Sequence, residues 1–360
     1  MLRRNIEIEK YFMHSINLSL SSVCGGNCIF CPSQRLGRIK TKMMSPSLVQ
    51  KIVNETLSSP YLKTVRHVNV GEMGDAFLNP DALDCLRIIR TKLPHCIIHL
   101  TINFATLTKE KSRQILEENL ADGVSGNIDG HNSLYYCLVK QGLSYEKVIE
   151  NVRDFLKLRE LYRSKMKFAI YVLSYRLYVN SIRNNHGFLP TKLHGVHHPE
   201  IEDDSSLVKA MWRPLLKKED KINIHPTVMS WAERQRFRNA KINYKKYTCP
   251  KLERIKHEIF IAPDGTLYPC CIDADNELVF GDLTSDSITD VALSPERIKL
   301  IWLLEHRRFD EIGSKNSPCR TVNCCQEIHP HKIMNIVSRV PGYTFAMVAK
   351  KKVTIFMKGV

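Results

Sequence analysis

Residues 21–32 read SSVCGGNCIFCP and place three cysteines, Cys24, Cys28 and Cys31, within eight positions. Three residues separate the first pair and two separate the second pair. Three thiols this close together cannot all be satisfied by disulfides among themselves, but they can bind one inorganic cluster, because thiolates are the usual ligands of iron-sulfur centres. Three ligands are one fewer than the usual four. A 4Fe-4S cluster bound here would therefore keep one iron open to a small molecule, as a catalytic metal keeps an open position.

The spacing Cys-x-x-x-Cys-x-aromatic-Cys resembles the signature of the radical S-adenosylmethionine superfamily, with Phe30 at the aromatic position. The resemblance implies that Cys24, Cys28 and Cys31 bind a 4Fe-4S cluster whose open iron binds the amino and carboxylate groups of S-adenosylmethionine. It also implies reductive cleavage of this cofactor to a 5'-deoxyadenosyl radical that abstracts hydrogen from a substrate, with Phe30 beside the adenine. The alternatives are an accidental group of cysteines or a zinc site, for which the closest downstream histidine, His67, lies on a different predicted element.

The composition is that of a folded protein with a large core: the chain has 360 residues, 43% hydrophobic and 25% charged. It contains no apolar run long enough to span a membrane and no apolar signal segment near its first residue, so we expect a cytoplasmic protein. In a reducing compartment its twelve cysteines indicate cluster or metal ligands. The formal net charge of +16 favours an anionic partner, but the basic residues are dispersed, and we do not expect a nucleic-acid partner.

Short β-rich runs alternate with helical patterns from Ile16 to about Leu173, which is typical of repeated β/α units around a parallel sheet. Helix-capping residues precede the apolar stripes, at Ser45-Pro46, Asn79-Pro80, Thr108 and Ser144. The predicted strands cover residues 16–22, 65–70, 96–102, 123–128, 167–173 and 221–225. We therefore expect an α/β protein with a partial (β/α)6 TIM-like barrel at residues 1–240, the fold that the resemblance implies, with its site in the loops after the strands.

The loop after the second predicted strand holds two candidate acids. Radical S-adenosylmethionine enzymes often carry a Gly-Glu pair here, near the amino group of the bound methionine. Counted back from Pro80, the equivalent pair is Gly74-Asp75, with aspartate in place of glutamate, and Glu72 in the same loop is also compatible. Either carboxylate would accept a charge-assisted hydrogen bond from an ammonium group. The alternative is that these acids only favour the dipole of the following helix.

Polar residues also follow the third and fourth predicted strands. The resemblance places contacts to the ribose and carboxylate of the cofactor near Thr101 and Asn103, although turn formation would explain both residue types. Asn127 and Asp129, followed by His131, resemble the Asp-Gly segment of relatives that modify peptides and small molecules. We expect one of these three side chains to face the substrate pocket, and the sequence identifies no catalytic residue.

The organisation changes at Cys249, where the alternation of helices and strands gives way to a hairpin. Two apolar runs, 257–262 and 266–270, flank a Pro-Asp-Gly turn, in which proline presets one dihedral and glycine takes the positive one. The spacing of Cys249, Gly265 and Cys270 is similar to the opening of the SPASM and twitch auxiliary-cluster domains. We therefore expect a small cysteine-rich α+β domain of this kind.

The remaining cysteines complete a second predicted metal centre. The resemblance implies one auxiliary 4Fe-4S cluster bound by Cys249, Cys270, Cys319 and either Cys324 or Cys325. Four thiolates could equally bind zinc. We place this domain at residues 241–335 and a basic C-terminal extension at residues 336–360.

These observations predict a radical S-adenosylmethionine iron-sulfur enzyme that abstracts hydrogen from a small molecule, such as a sugar or a nucleotide-linked compound in view of the positive charge. Oxidation, epimerisation and cross-linking all remain open as outcomes. One alternative substrate is a ribosomally made peptide, and the alternative from another class is a zinc-binding nucleic-acid-binding protein that uses both cysteine sets. The resemblance also implies an electron donor such as flavodoxin or ferredoxin.

Overall fold

The computed structural model describes residues 12–28, 31, 42–173, 204–225, 243–271, 273, 277–314, 317, 319–320 and 326–327. Within them the strands are β1 Ser15–Leu18, β2 His67–Val70, β3 Ile97–Ile102, β4 Gly123–Asn127, β5 Lys167–Leu173, β6 Lys221–His225, β7 Tyr247–Thr248, β8 Glu258–Ile261, β9 Thr266–Tyr268, β10 Gly281–Asp282 and β11 Gln326–Glu327.

The α-helices of the described residues are α1 Pro46–Ser58, α2 Ala82–Lys92, α3 Lys109–Glu117, α4 Ser133–Val139, α5 Tyr145–Leu161, α6 Asp204–Trp212, α7 Leu252–His257, α8 Ile288–Ala292 and α9 Pro295–Glu305. Short 3-10 helices lie at Ala76–Leu78, Arg213–Leu215, Tyr244–Lys246 and Phe309–Glu311. None of the helices in the described ranges is both long and apolar enough to cross a membrane.

One nine-stranded sheet organises the molecule, in the order β10-β9-β8-β1-β2-β3-β4-β5-β6. Strands β1 to β6 pair in sequence order and are all parallel, and β8 lies parallel to β1 on its other side. The hairpin strand β9 and then β10 continue the sheet in antiparallel fashion. The predicted parallel α/β architecture is confirmed, and β5 and β6 begin and end at the predicted residues.

The two faces of the sheet differ in polarity. Alternate strand residues, such as Ile16, Val68 and Ile98, are buried against the helices in one continuous apolar core. The opposite, inner face carries polar side chains: the Asn69 Nδ2 donates to Asn17 Oδ1 at 2.9 Å, and Asn17 Nδ2 donates to the Ile259 carbonyl at 3.2 Å. Parallel strands are usually apolar on both faces. The polar inner face therefore marks the side of the sheet on which a polar ligand can be bound.

The helix starts follow the predicted capping chemistry in three cases. The side chains of Ser45, Thr108 and Ser144 each accept a hydrogen bond from the backbone N–H three residues later, and Ser294 does the same at the start of α9. The predicted helix start at Asn79-Pro80 precedes the observed start of α2 at Ala82, although the Asn79 Oδ1 accepts a hydrogen bond from the Asp81 N–H at 2.9 Å. The buried Asn79 Nδ2 also donates to the carbonyls of Leu20 and Met44, at 2.9 and 2.8 Å, because a buried amide needs partners and these carbonyls lie within reach.

Candidate functional site

The loop that carries the first cysteine set leaves the sheet at the carboxyl end of β1. The Ser21 side chain accepts a hydrogen bond from the Val23 N–H at 3.0 Å, which turns the chain directly before Cys24. The Asp75 N–H donates to the Val23 carbonyl at 2.7 Å and so joins this loop to the loop after β2. Neighbouring parallel strands end at the same edge of a sheet. The cysteine loop therefore lies beside the loops that follow the next strands.

The thiols of this loop lie close enough for the charges of Cys31 and Cys24 to act on Cys28. Burial is the main cause that raises the pKa of Cys28 to about 11; the charge of Lys140 opposes this rise, and the charges of Cys31 and Cys24 contribute to it. The Cys24 sulfur accepts hydrogen bonds from the Gly26 N–H at 3.4 Å and from the Asn103 Nδ2 at 3.7 Å. Such hydrogen bonds stabilise thiolate ligands and tune a cluster bound to them. The predicted aromatic residue Phe30 lies outside the described residues.

The donor set fits an iron-sulfur cluster. Cys28 is buried, and Cys24 and Cys31 are partly exposed, so the three residues lie at the boundary between the protein interior and solvent. In a cluster each thiolate binds a different iron, and the ligands need proximity rather than convergence on one point. Among the residues that the structure describes, no three His, Cys, Asp or Glu side chains have the geometry to hold a single metal ion.

Asp75 lies next to this cysteine loop. It is 2% exposed, and its Oδ1 accepts hydrogen bonds from the Phe77 N–H at 3.1 Å and from the Thr106 hydroxyl at 2.7 Å. Its Oδ2 accepts none from the described residues. Burial raises the pKa of Asp75, and it is also the main cause that raises the pKa of Cys24, to which the charge of Asp75 adds. Gly74 precedes it with a φ of +60°, and a Cβ there would overlap the Ser21 carbonyl.

Glu72 has a different environment. Its Oε1 lies 4.0 Å from the Arg254 Nη2, and Arg254 donates to both carboxylate oxygens of Glu258. Burial is the main cause that raises the pKa of Glu72, and the positive charge of Arg254 opposes it. Of the two predicted acids, Asp75 is therefore the one beside the cysteine loop, whereas Glu72 faces residues of the C-terminal hairpin region.

The polar residues after β3 and β4 are placed as follows. Thr101 is exposed on the inner face, and Asn103 donates to the Cys24 sulfur while its Oδ1 accepts from the Ala105 N–H at 2.8 Å. Asn127 ends β4 and is partly exposed. Asp129 is fully buried and pairs with Lys140 rather than facing an open pocket. Their contacts to a cofactor or a substrate stay predictions.

Lys140 was not predicted from the sequence. It follows α4, is 5% exposed, and its Nζ lies 3.4 Å from the Asp129 Oδ2. Its positive charge lowers the pKa of Cys28. The signal available in the sequence was the spacing between Tyr136 and Lys140, which places Lys140 on the buried stripe of α4. A lysine is rarely fully buried unless it is paired.

The second cysteine set lies in a separate apolar cluster. Cys249, Cys270 and Cys319 are each less than a tenth exposed and pack in one group with Phe260 and Tyr268 of the hairpin. The predicted hairpin is confirmed, with Gly265 at a φ of +93° in its turn. The structure thus places three of the predicted ligands in one buried cluster, and their binding of a metal centre stays a prediction. Cys324 and Cys325 lie outside the described residues.

One family model matches the region that contains the second cysteine set. Residues 249–326 match the SPASM family model, described as an iron-sulfur cluster-binding domain. The match spans the region in which the sequence predicts an auxiliary-cluster domain. No curated protein matches the chain by sequence.

Several solved structures share the overall fold. BtrN, solved in complex with AdoMet and 2-DOIA, has a TM-score of 0.53 and 13% identity, with 88% of this chain and 94% of BtrN covered. SuiB of Streptococcus suis, bound to the precursor peptide SuiA, has a TM-score of 0.52 and 12% identity, covering 83% of this chain and 69% of SuiB. The structure of anSMEcpe with bound AdoMet has a TM-score of 0.50 and 14% identity, with 81% of this chain and 83% of anSMEcpe covered. The chain therefore has the fold of BtrN and SuiB, and its residues 249–326 match an iron-sulfur cluster-binding domain model.

Proposed function

We propose that this chain is a radical S-adenosylmethionine enzyme that abstracts a hydrogen atom from a small-molecule substrate. The observation that carries the proposal is the set of three neighbouring thiols, Cys24, Cys28 and Cys31, in the loop at the carboxyl edge of a parallel sheet. A 4Fe-4S cluster bound by these thiols would supply the electron that cleaves S-adenosylmethionine to the 5'-deoxyadenosyl radical.

The side chains around the thiols have separate roles in this proposal. Cys24, Cys28 and Cys31 hold the cluster and leave one iron for the methionine part of the cofactor. Asp75 offers its Oδ2, which accepts no hydrogen bond from the described residues, to the ammonium group of the cofactor. The Asn103 amide orients the Cys24 sulfur by donating a hydrogen bond to it. The hydrogen bonds of Val23 with Ser21 and Asp75 keep the loop that carries the thiols in place.

The SPASM domain is proposed to hold a second 4Fe-4S cluster. Cys249, Cys270 and Cys319 are buried together, and the fourth ligand is Cys324 or Cys325. Full ligation by cysteine would suit an electron relay, and an open iron would suit substrate binding. An electron donor such as flavodoxin or ferredoxin is part of the same proposal.

The proposed substrate is a small molecule. A sugar or another polar small molecule is supported by uncharged polar side chains that are at least partly exposed on the inner face, such as Asn69 and Thr101. BtrN, which has the same fold, was solved with the small molecule 2-DOIA, and this chain covers 94% of it. A peptide is the second candidate, favoured by the complex of SuiB with its precursor peptide SuiA.

The test is anaerobic incubation of the iron-loaded chain with dithionite and S-adenosylmethionine, followed by quantification of 5'-deoxyadenosine. We expect the wild type to form it and Cys28→Ala to lose at least ~100-fold of this rate, because a ligand to the cluster is removed. The matched control is Cys137→Ala, which removes an exposed thiol of α4 and should retain the rate. Undiminished formation by Cys28→Ala, or a colourless wild type that contains only zinc, would contradict the proposal.

A further inference from the structure

An ion pair lies out of contact with water directly behind the first cysteine loop. Asp129 is 0% exposed and Lys140 is 5% exposed, with 3.4 Å between the Lys140 Nζ and the Asp129 Oδ2. Moving two charges out of water is costly, and a buried pair is weak evidence for added stability. Because added stability does not account for this pair, we consider the effect of its charges on the neighbouring cysteine loop.

The turn that follows Lys140 packs against the cysteine loop through backbone contacts. The Asn27 N–H donates to the Gln141 carbonyl at 2.5 Å. A Cβ on Gly142 would lie 2.9 Å from the Gly25 carbonyl oxygen, so the two segments touch without room for a side chain. This close packing fixes the position of the lysine relative to the loop that contains Cys24 and Cys28.

The two charges of the pair differ in their effect on the thiols. The charge of Lys140 acts on Cys28 more strongly than the opposite charge of Asp129 does. Lys140 also acts on Cys24 in the same direction. The two charges therefore do not cancel at Cys28, and the pair acts there as a net positive charge. The field of such a charge is strong because the surroundings are buried and screening by water is small.

We propose that Lys140, held by Asp129, is an electrostatic positioning residue that raises the reduction potential of a 4Fe-4S cluster bound at Cys24, Cys28 and Cys31. This inference rests on the proposed function to the extent that such a cluster is present. Reduction transfers one electron from the external reductant to the cluster and adds one negative charge to the site. A fixed positive charge behind Cys28 stabilises this added charge, since net charge near a cluster is one of the factors that set its potential. The cluster then accepts an electron from a weaker donor.

The experiment is a redox titration of the full chain, reconstituted anaerobically with iron and sulfide and reduced stepwise with dithionite in the absence of S-adenosylmethionine. The EPR signal to follow is the one that Cys28→Ala abolishes, which separates this cluster from the second one. For Lys140→Met we expect the reduced-to-oxidised ratio to fall about tenfold at the midpoint of the wild type, which is a shift of about 59 mV to lower potential. Asp129→Asn should shift the midpoint in the opposite direction, because the lysine charge is then less compensated.

Two further variants separate the electrostatic role from a structural one. Lys147→Met removes an exposed lysine of α5 and should leave the midpoint unchanged. The double variant Asp129→Asn/Lys140→Met removes both buried charges and should also shift the midpoint to lower potential, which keeps the test decisive if Lys140→Met alone fails to fold. Equal midpoints in the wild type, Asp129→Asn and the double variant would overturn the inference. Absence of the Cys28-dependent signal from the wild type would instead overturn the proposed function.

Discussion

His99 lies on the inner face of β3, where its Nε2 is 2.8 Å from the Ser125 hydroxyl. Burial lowers the pKa of His99 below its ordinary value of 6.5. The unfolded chain therefore binds a proton at this site at a higher pH than the folded chain. The stability contributed by the neutral imidazole is fully present above pH 6.5 and is lost as the pH falls through the lower folded pKa.

We expect the free energy of unfolding of the wild type to fall with pH below 6.5 more steeply than that of His99→Gln, because the variant has no proton to bind at this position. Urea unfolding at several pH values between about 6.5 and about 5 measures the two slopes. The exposed His95→Gln variant is the control and should follow the wild type. Parallel curves for the wild type and His99→Gln would contradict the assigned pKa shift.

At the scale of single residues, the cysteine trio was predictable because its spacing is local. The choice between Glu72 and Asp75 was not, since it depends on how the loop after β2 meets the Val23 carbonyl and on where Arg254 lies. Lys140 could not be assigned to the site at all, because it is far from Cys28 in sequence and reaches it only through the packing of two loops.

At the scale of elements, β4 packs closely against its neighbours because Gly126 has no side chain. Gly126 is buried between the Phe104 ring and the Ile102 carbonyl, and a Cβ at this position would overlap both. Phe104 itself has a φ of 63°, which orients its ring across the strand. Because the overlap includes backbone, the contact cannot be relieved by a rotamer change alone.

Gly126→Ala should therefore lower the free energy of unfolding by about 1–3 kcal/mol, the usual cost of overpacking a buried site. Urea unfolding of the cluster-free chain gives this value directly. The matched control is Gly25→Ala, where the nearest atom to the new Cβ is Leu143 Cδ2 at 3.6 Å, an ordinary contact. A Gly126→Ala chain as stable as the wild type would show that β4 and Phe104 can separate at little cost.

The elements that sequence predicted correctly are those with local signals. Ser45, Thr108 and Ser144 were identified as caps because each hydroxyl precedes an apolar stripe. In that position the hydroxyl oxygen can accept a hydrogen bond from a free backbone N–H of the first helical turn. Asn79 carried the same signal, and its Oδ1 accepts from the Asp81 N–H while its Nδ2 donates to two carbonyls from distant segments. The helix nevertheless begins only at Ala82, later than the local signal indicated.

At the scale of the whole molecule, the sheet passes across the predicted boundary near residue 240. The hairpin itself was predicted from its turn, but its first strand, β8, pairs in parallel with β1, from Ser15 opposite Glu258 to Leu18 opposite Ile261. Strand order is set by packing between segments far apart in sequence, which no local pattern records. The division at residue 240 stays a prediction about domains, while the hydrogen bonds of the sheet connect both sides of it.

Arg297 adds a second connection between the same regions. This residue of α9 is 1% exposed, and its guanidinium donates to the carbonyls of Ala292 at 2.6 Å, Ile255 at 2.6 Å and Lys256 at 2.8 Å. One of its nitrogens also lies 3.7 Å from the Met13 sulfur, just before β1. The side chain thus ties the C-terminal helices to the start of the barrel.

Arg297→Met should lower the free energy of unfolding by roughly 3 kcal/mol or more, because buried carbonyls lose a charged donor and methionine offers none. Since β8 and β1 share hydrogen bonds, we expect the amides of both strands to lose protection together. Hydrogen exchange followed by mass spectrometry measures both strands in one experiment, with the exposed Lys299→Met variant of α9 as the control. Faster exchange in β8 with unchanged protection of β1 would show that the two regions open independently, and that the shared sheet does not make them one cooperative unit.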